Sequence, residues 1–243
     1  RSLVKRLILT YDTLIFFSQK MRNELMEAYA IDSAYAEKHF IISPLGVDMG
    51  FFSKYSNGNG PEAKRFVVSS GNSARDFDIL IRASEKVRVP FKIYCKPESF
   101  PKSTTLPQNV EILSGEFPFE QICKDYDDSK VILIPLAANP EGPIGFTSLL
   151  EAFAMGKPVI MTRNDYIDVD FHNEKIGMVV EANDVDGWVH AMTMMLNDYP
   201  LLQEMGANSL RLGSEKYNIN VFARDLATAL VTTYQRYISK HQS

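Results

Sequence analysis

Gly145-Phe146-Thr147-Ser148 and, three residues on, Glu151 place a glycine turn, two hydroxyls and a carboxylate close together in the chain. The run before them, Val131-Ile132-Leu133-Ile134-Pro135, reads as a buried strand. Gly156 stops the short helix that carries Glu151, and Pro158-Val159-Ile160-Met161-Thr162 reads as the next strand. Strand, glycine-rich loop, helix and strand make the unit with which α/β folds hold phosphate groups. The loop brings backbone N–H groups close to the ligand, and the helix N-terminus adds positive potential. A local reading of the same residues also stands. Ser148-x-x-Glu151 is a capping-box pattern in which Glu151 reaches back to the Ser148 N–H, and Ser or Thr at a helix start often serves only as a cap.

Two cations fall at comparable places. Arg75 follows the turn at Gly71, and Lys96 follows a strand ending at Cys95. Both therefore lie at strand C-termini, where open α/β sheets bind ligands, although most Lys and Arg are plain surface charges. Asp76 either orients Arg75 or caps the next helix. Asp165-Tyr166-Ile167 follows a strand end and either lines the same cleft or makes a turn. The four histidines show no metal spacing, and Met192, Met194 and Met195 read as core filler.

Glu151-Ala152-Phe153-Ala154-Met155-Gly156-Lys157-Pro158-Val159-Ile160 resembles the donor-nucleotide motif of GT-B glycosyltransferases, in the large retaining class that includes sucrose and glycogen synthases. That class carries Glu-Ala-Met-Ala-x-Gly-x-Pro-Val-Ile after a glycine-rich turn. The resemblance implies that Glu151 accepts hydrogen bonds from the ribose hydroxyls. It makes Gly71, Gly145, Phe146, Thr147 and Ser148 donor-binding residues beside it. Arg75 and Lys96 become a cationic clamp on the leaving diphosphate, where negative charge grows as the glycosidic bond breaks. Here the chain departs from the full motif, which has two glutamates with seven residues between them. Counting back from Glu151, that place is Pro143, and Glu141 lies two positions earlier. Either Glu141 reaches the donor sugar through a longer loop, or the first carboxylate has been dispensed with.

The chemistry implied is retaining transfer of a hexosyl group from a nucleotide sugar, UDP-sugar before GDP-sugar, to a saccharide, lipid or other hydroxyl acceptor. It requires no metal cofactor. The resemblance runs from about Thr13 to the C-terminus and implies an acceptor domain upstream, of which this chain holds only the tail. The chain alone is then expected to bind nucleotide without transferring sugar, and a membrane surface is reached only through that upstream domain. A glycosyltransferase-like binding or scaffold module that has lost catalysis is the alternative, supported by the missing first glutamate. A sugar-nucleotide epimerase or phosphorylase of the same fold is a third class.

The elements that must position these residues alternate strand and helix, which argues a doubly wound parallel α/β sheet. On that reading the sheet is the Rossmann-like C-terminal half of a GT-B fold with a short remnant of the N-terminal domain. Residues 1–52 form the remnant and 53–64, with Gly58, Gly60 and Pro61, a linker. Residues 65–218 form the nucleotide domain, and 219–243 a final helix. Strands are expected at 12–18, 40–42, 65–71, 90–95, 110–113, 131–135, 158–162 and 177–180. In the last helix Phe222, Leu226, Leu230, Tyr234 and Ile238 make an apolar stripe that suits packing either on its own domain or back toward the N-terminal segment.

Across its 243 residues the chain is 45% hydrophobic and 23% charged, ordinary for a globular protein with a sizeable core. A formal charge of −4 and the lack of a basic run offer no footprint for nucleic acid. The longest apolar run is far short of a membrane span. Cys95 and Cys123 sit in no metal or redox spacing, so a reducing, cytoplasmic setting without a signal peptide is expected. The chain begins at Arg1 and not at methionine, which leaves an upstream region open.

Overall fold

Strands buried on both faces read as unbroken apolar runs, because neither side of the pleat meets water. The computed structural model, which describes residues 2–56, 58, 60, 63–101 and 106–241, assembles such runs into a six-stranded sheet. Pro61 of the expected linker lies outside the described residues. A small N-terminal unit comes first: α1 (Ser2–Ile8), β1 (Leu14–Phe16), α2 (Gln19–Tyr29), α3 (Ser33–His39) and β2 (Phe40–Ile42). β1 and β2 pair in parallel, and Ile8, Phe16, Ile31, Ala36 and Phe40 form their own core. After α4 (Met49–Phe52) the sheet is built from β3 (Phe66–Ser70), α5 (Phe77–Ser84), β4 (Phe91–Cys95), β5 (Val110–Ser114), α6 (Phe119–Asp128) and β6 (Ser129–Ile134). It continues through α7 (Phe146–Ala154), β7 (Val159–Thr162), α8 (Phe171–Glu174), β8 (Gly177–Val180), α9 (Val185–Leu196) and α10 (Tyr199–Glu215). The chain closes with α11 (Ile219–His241).

All six strands run parallel in the order β5-β4-β3-β6-β7-β8. The alternation of side chains across a strand divides the core between the two faces. Within β6, Ile132 and Ile134 join Tyr126, Leu149 and Phe153 on one face. Val131 and Leu133 join Leu80, Ile93, Trp188 and Met192 on the other. The strand order reverses between β3 and β6, the place at which a doubly wound sheet opens a crevice beyond its strand C-termini. At the N-terminal ends of the strands, Lys64 and Lys157 are buried against Asp127 at 3.4 and 3.8 Å, and burial pushes Lys157 down to about 8.

Three short helices, α3, α4 and α8, were not expected from the periodicity; each starts at an aspartate whose side chain accepts backbone N–H bonds. The last helix also departs from its apolar stripe. Leu230 and Tyr234 are 71% and 63% exposed, while Ala229, Thr233 and Arg236 face inward. Arg236 donates to the Lys38 carbonyl and to Thr13 Oγ1, and Ser43 Oγ donates to Asp225 at 3.2 Å. This helix thus adds hydrogen bonds to the N-terminal unit to a stripe of which Phe222, Leu226 and Ile238 are half-buried. Met194, read as core filler, is also 49% exposed, while Met192 and Met195 are buried.

Candidate functional site

A cleft of about 820 Å³ opens beyond the C-terminal ends of β3, β4 and β5 and against the start of α7. Arg75, which lines it, lies where two loops are stapled together. Arg75 bridges Leu136 in antiparallel fashion, Asp76 N–H donates to the Pro135 carbonyl at 3.2 Å, and Ala137 N–H donates to Ala74 at 2.8 Å. Asp76 itself caps α5 by accepting from the Ile79 N–H, which settles its role as a helix start. β3 is followed by Gly71, whose φ of +131° an L side chain rarely adopts. A Cβ there would sit 2.6 Å from Arg75 Nε, so the glycine leaves the space that the guanidinium occupies. Arg75 donates to the Ser70 and Ser73 carbonyls at 3.3 and 3.1 Å and to Ser148 Oγ at 2.9 Å. Desolvation lowers its affinity for the proton, opposed by Tyr126 and Glu151.

Helix α7 begins after Gly145, which has φ +87° and accepts the Leu149 N–H on its carbonyl. A Cβ at Gly145 would lie 2.9 Å from Met161 Cε and 3.1 Å from Ile134 Cγ2, so the turn is pressed against the strand ends. No side chain caps this helix. The capping-box reading of Ser148 and Glu151 is therefore corrected: Ser148 lies inside the first turn and receives Arg75, while Glu151 is held elsewhere. The Phe146 N–H donates to the Pro143 carbonyl at 3.1 Å, and those of Thr147 and Ser148 continue a helix start that no side chain caps, with its positive potential. Thr147 is exposed and Ser148 buried, and both line the cleft; the Phe146 side chain instead packs in the core, edge-on to Tyr217 at 5.9 Å.

Glu151 lines the cleft from the second turn of α7 and is half-buried. Its Oε2 accepts from the Tyr126 hydroxyl at 3.2 Å, and that hydroxyl also bonds Ser70 Oγ. Burial pushes the Glu151 carboxyl up to about 7, against the pull of the Tyr126 O–H and of Arg75. Ser70, Arg75, Tyr126, Ser148 and Glu151 form one connected polar group under the cleft. Tyr126 and Ser70 were missed from sequence; Tyr126 is fully buried and reads as an ordinary core position of an amphipathic helix.

Lys96 lines the same cleft with an exposed side chain, and its N–H donates to Asn72 Oδ1 at 3.1 Å. Glu141 is exposed and does not line the cleft, whereas Pro143 does. Asp165 and Tyr166 also stay out of it. They meet α2 instead, with Lys20 at 3.7 Å from Asp165 and the Tyr166 hydroxyl 2.8 Å from both oxygens of Glu24. Their neighbour Asn164 was not singled out from sequence, yet it donates to the Gly142 and Ile144 carbonyls at 3.1 and 2.9 Å and so fixes the arm leading to Gly145. Among the described residues no group of three or more His, Cys, Asp or Glu is placed to hold a metal ion, and no helix is long and apolar enough to cross a membrane.

Solved structures share this architecture. A glycosyltransferase from Rickettsia africae ESF-5 superposes with a TM-score of 0.71 at 17% identity, over 90% of this chain and 63% of that one. The sucrose-phosphate synthase of Thermosynechococcus elongatus gives 0.68 at 17% identity, over 98% and 61%. Anabaena Alr3699/HepE, solved in complex with UDP-glucose, gives 0.68 at 15% identity, over 91% and 64%. The chain thus spans about three-fifths of the length of these structures, whose likeness at such identity speaks for the fold. No curated protein matches the sequence. The sequence model of glycosyl transferases group 1 matches residues 65–198, the stretch that carries the sheet, the turn at Gly145 and Glu151. The chain belongs to the glycosyl transferases group 1 family.

Proposed function

We propose that this chain carries the donor site of a retaining glycosyltransferase that moves a hexosyl group from a UDP-sugar to a hydroxyl acceptor. The convergence of Glu151, Arg75 and the uncapped start of α7 on one cleft at the strand-order reversal carries this reading. A carboxylate matches a vicinal diol because it accepts from both hydroxyls, and charge-assisted bonds are the stronger kind. A guanidinium and a helix N-terminus facing the same space match a diphosphate. As the bond from the sugar to the diphosphate breaks, the electron pair stays on the phosphate oxygen, and Arg75, Lys96 and the α7 N-terminus oppose the charge that grows there. A volume of about 820 Å³ lies within the range of small-molecule sites. The complexes of Anabaena Alr3699/HepE with UDP and glucose and with UDP-glucose favour uridine as the base.

On this reading residues 1–52 are the tail of an N-terminal acceptor domain, 53–64 the linker, 65–218 the donor domain and 219–243 a helix returning to the N-terminal side. No metal is needed if the cations hold the diphosphate, the setting is cytoplasmic, and the chain alone does not transfer. The exposed Glu141, outside the cleft, favours a second reading in which the domain keeps the fold but serves as a docking module. Calorimetric titration with UDP, GDP and ADP, alongside Glu151→Ala and Arg75→Ala, separates the two. The expected result is UDP binding weakened at least about tenfold by either substitution, the equivalent of one charge-assisted bond. A folded chain that binds none of the three nucleotides overturns the donor-site reading in favour of the docking module.

A further inference from the structure

We propose that Tyr126, backed by Ser70, is the positioning residue that keeps Glu151 an acceptor and decides which of its oxygens faces the cleft. The inference rests on the donor-site reading and adds to it the part of the protein that makes Glu151 select a diol. The Tyr126 side chain is fully buried, so its hydroxyl has no water to turn to. It meets two groups, Glu151 Oε2 at 3.2 Å and Ser70 Oγ. A phenol has one proton to give. When Glu151 is ionised it can only accept, so the phenol proton goes to Oε2 and Ser70 donates to the phenol oxygen. Oε2 is then tied from behind, and Oε1 is left for the cleft. When Glu151 holds a proton, one oxygen donates and only the other still accepts, so the bond from the phenol becomes a weaker, neutral one. The phenol therefore favours the ionised form of Glu151, in which both oxygens accept, as ribose hydroxyls require.

The charged and titratable groups facing Glu151 are Arg75 from the loop after β3 and Tyr126 and Cys123 from α6. Burial of the carboxyl opposes ionisation, while Tyr126 and Arg75 support it. Removing the phenol hydroxyl alone, as in Tyr126→Phe, keeps the ring in the core and deletes one of the two supports.

The test has two readouts. The first is the titration midpoint of the Glu151 carboxyl in the ligand-free chain, followed by carbon-13 NMR. The second is calorimetric binding of UDP and of 2′-deoxy-UDP between about pH 5.5 and 8.5. In Tyr126→Phe the Glu151 midpoint should rise by about one pH unit. UDP affinity near neutral pH should fall about tenfold, and the preference for UDP over the deoxy analogue should shrink. A purely structural role would lower the melting temperature and leave the midpoint in place. An unchanged midpoint with an unchanged preference overturns the proposal. Should Tyr126→Phe fail to fold, fluorotyrosine placed at position 126 keeps the ring and makes the phenol a stronger donor, so the Glu151 midpoint should fall, and an unchanged midpoint there overturns the proposal equally. Glu151→Ala separates the two levels: if it binds UDP like the wild type, the donor-site reading falls and this inference with it. If Glu151→Ala loses UDP while Tyr126→Phe behaves as wild type, only the role of Tyr126 falls.

Discussion

Replacing Glu151 by Gln isolates what the charge of this carboxylate costs the fold. Burial raises Glu151 from 4.5 to about 7, and each pH unit corresponds to about 1.36 kcal/mol, so the full cost is about 3 kcal/mol. The cleft is open to water, which leaves roughly 2 kcal/mol as the figure to expect. The sign follows from proton counting. Between about pH 4.5 and 7 the folded chain holds a proton on Glu151 that the unfolded chain has released, so stability falls as pH rises. The cost is absent below about pH 4.5 and complete above about pH 7. Gln still accepts the Tyr126 hydroxyl but never ionises. Glu151→Gln should therefore match the wild type at about pH 4.5 and exceed it by roughly 2 kcal/mol at about pH 8. For a chain of this length that is a gain of roughly 4–8 °C in Tm. Denaturant unfolding at a series of pH values reads the difference directly. A difference that stays constant from about pH 5 to 8 would refute the reasoning, because a burial cost on an ionisable group must vary across its own titration.

Two further substitutions probe how the cleft is held. Gly145→Ala forces an L side chain to φ +87° with its Cβ 2.9 Å from Met161 Cε, and should cost about 2 kcal/mol in unfolding free energy and displace the turn that leads into α7. A wild-type denaturation midpoint for that variant would show that the turn is not under the constraint described. Asn164→Ala deletes the bonds to the Gly142 and Ile144 carbonyls, and should speed amide hydrogen exchange at 142–145 while lowering UDP affinity about fivefold. Unaltered exchange in that loop would mean that the amide of Asn164 does not hold it.

The sheet was legible because its central strands are buried on both faces and read as apolar runs, with polar residues only toward their ends. Val131 to Ile134 and Val159 to Thr162 announce themselves for that reason. The limits of α7 were legible through two glycines at positive φ, Gly145 and Gly156. The short helices α3, α4 and α8 were not, because they show too little of a period and only their capping aspartates mark them. In α11 the apolar stripe gave only part of the contact face: Phe222, Leu226 and Ile238 are half-buried while Leu230 and Tyr234 are exposed, and Thr233 and Arg236 add hydrogen bonds to the N-terminal unit, which periodicity does not weigh. Of the residues lining the cleft, Arg75 and Lys96 were legible because each follows a strand end, Ser148 because it lies at the start of α7, and Glu151 through the Glu-Ala-Phe-Ala stretch that resembles the family motif. Tyr126 could not be found that way. Its meeting with Glu151 exists only because α6 and α7 lie on the same face of the sheet, 25 residues apart in sequence.

The polar group beneath the cleft bears on the choice between enzyme and docking module. Ser70, Tyr126 and Ser148 are buried beside Val68, Ile134 and Leu149, where apolar side chains of similar size would pack without needing partners. Their bonds run inward to one another and outward only through Arg75 and Glu151, the two charged members that line the cleft. A domain used for docking through its outer surface gains nothing from a carboxylate whose ionisation opposes folding. A donor site gains the acceptor for a diol and the cation for a diphosphate. The joint behaviour of Glu151→Gln is therefore the sharpest discriminator: greater stability at about pH 8 together with lost UDP affinity means that the charge is kept for the ligand. Greater stability with no nucleotide affinity to lose would mean that the charge is an unused remainder.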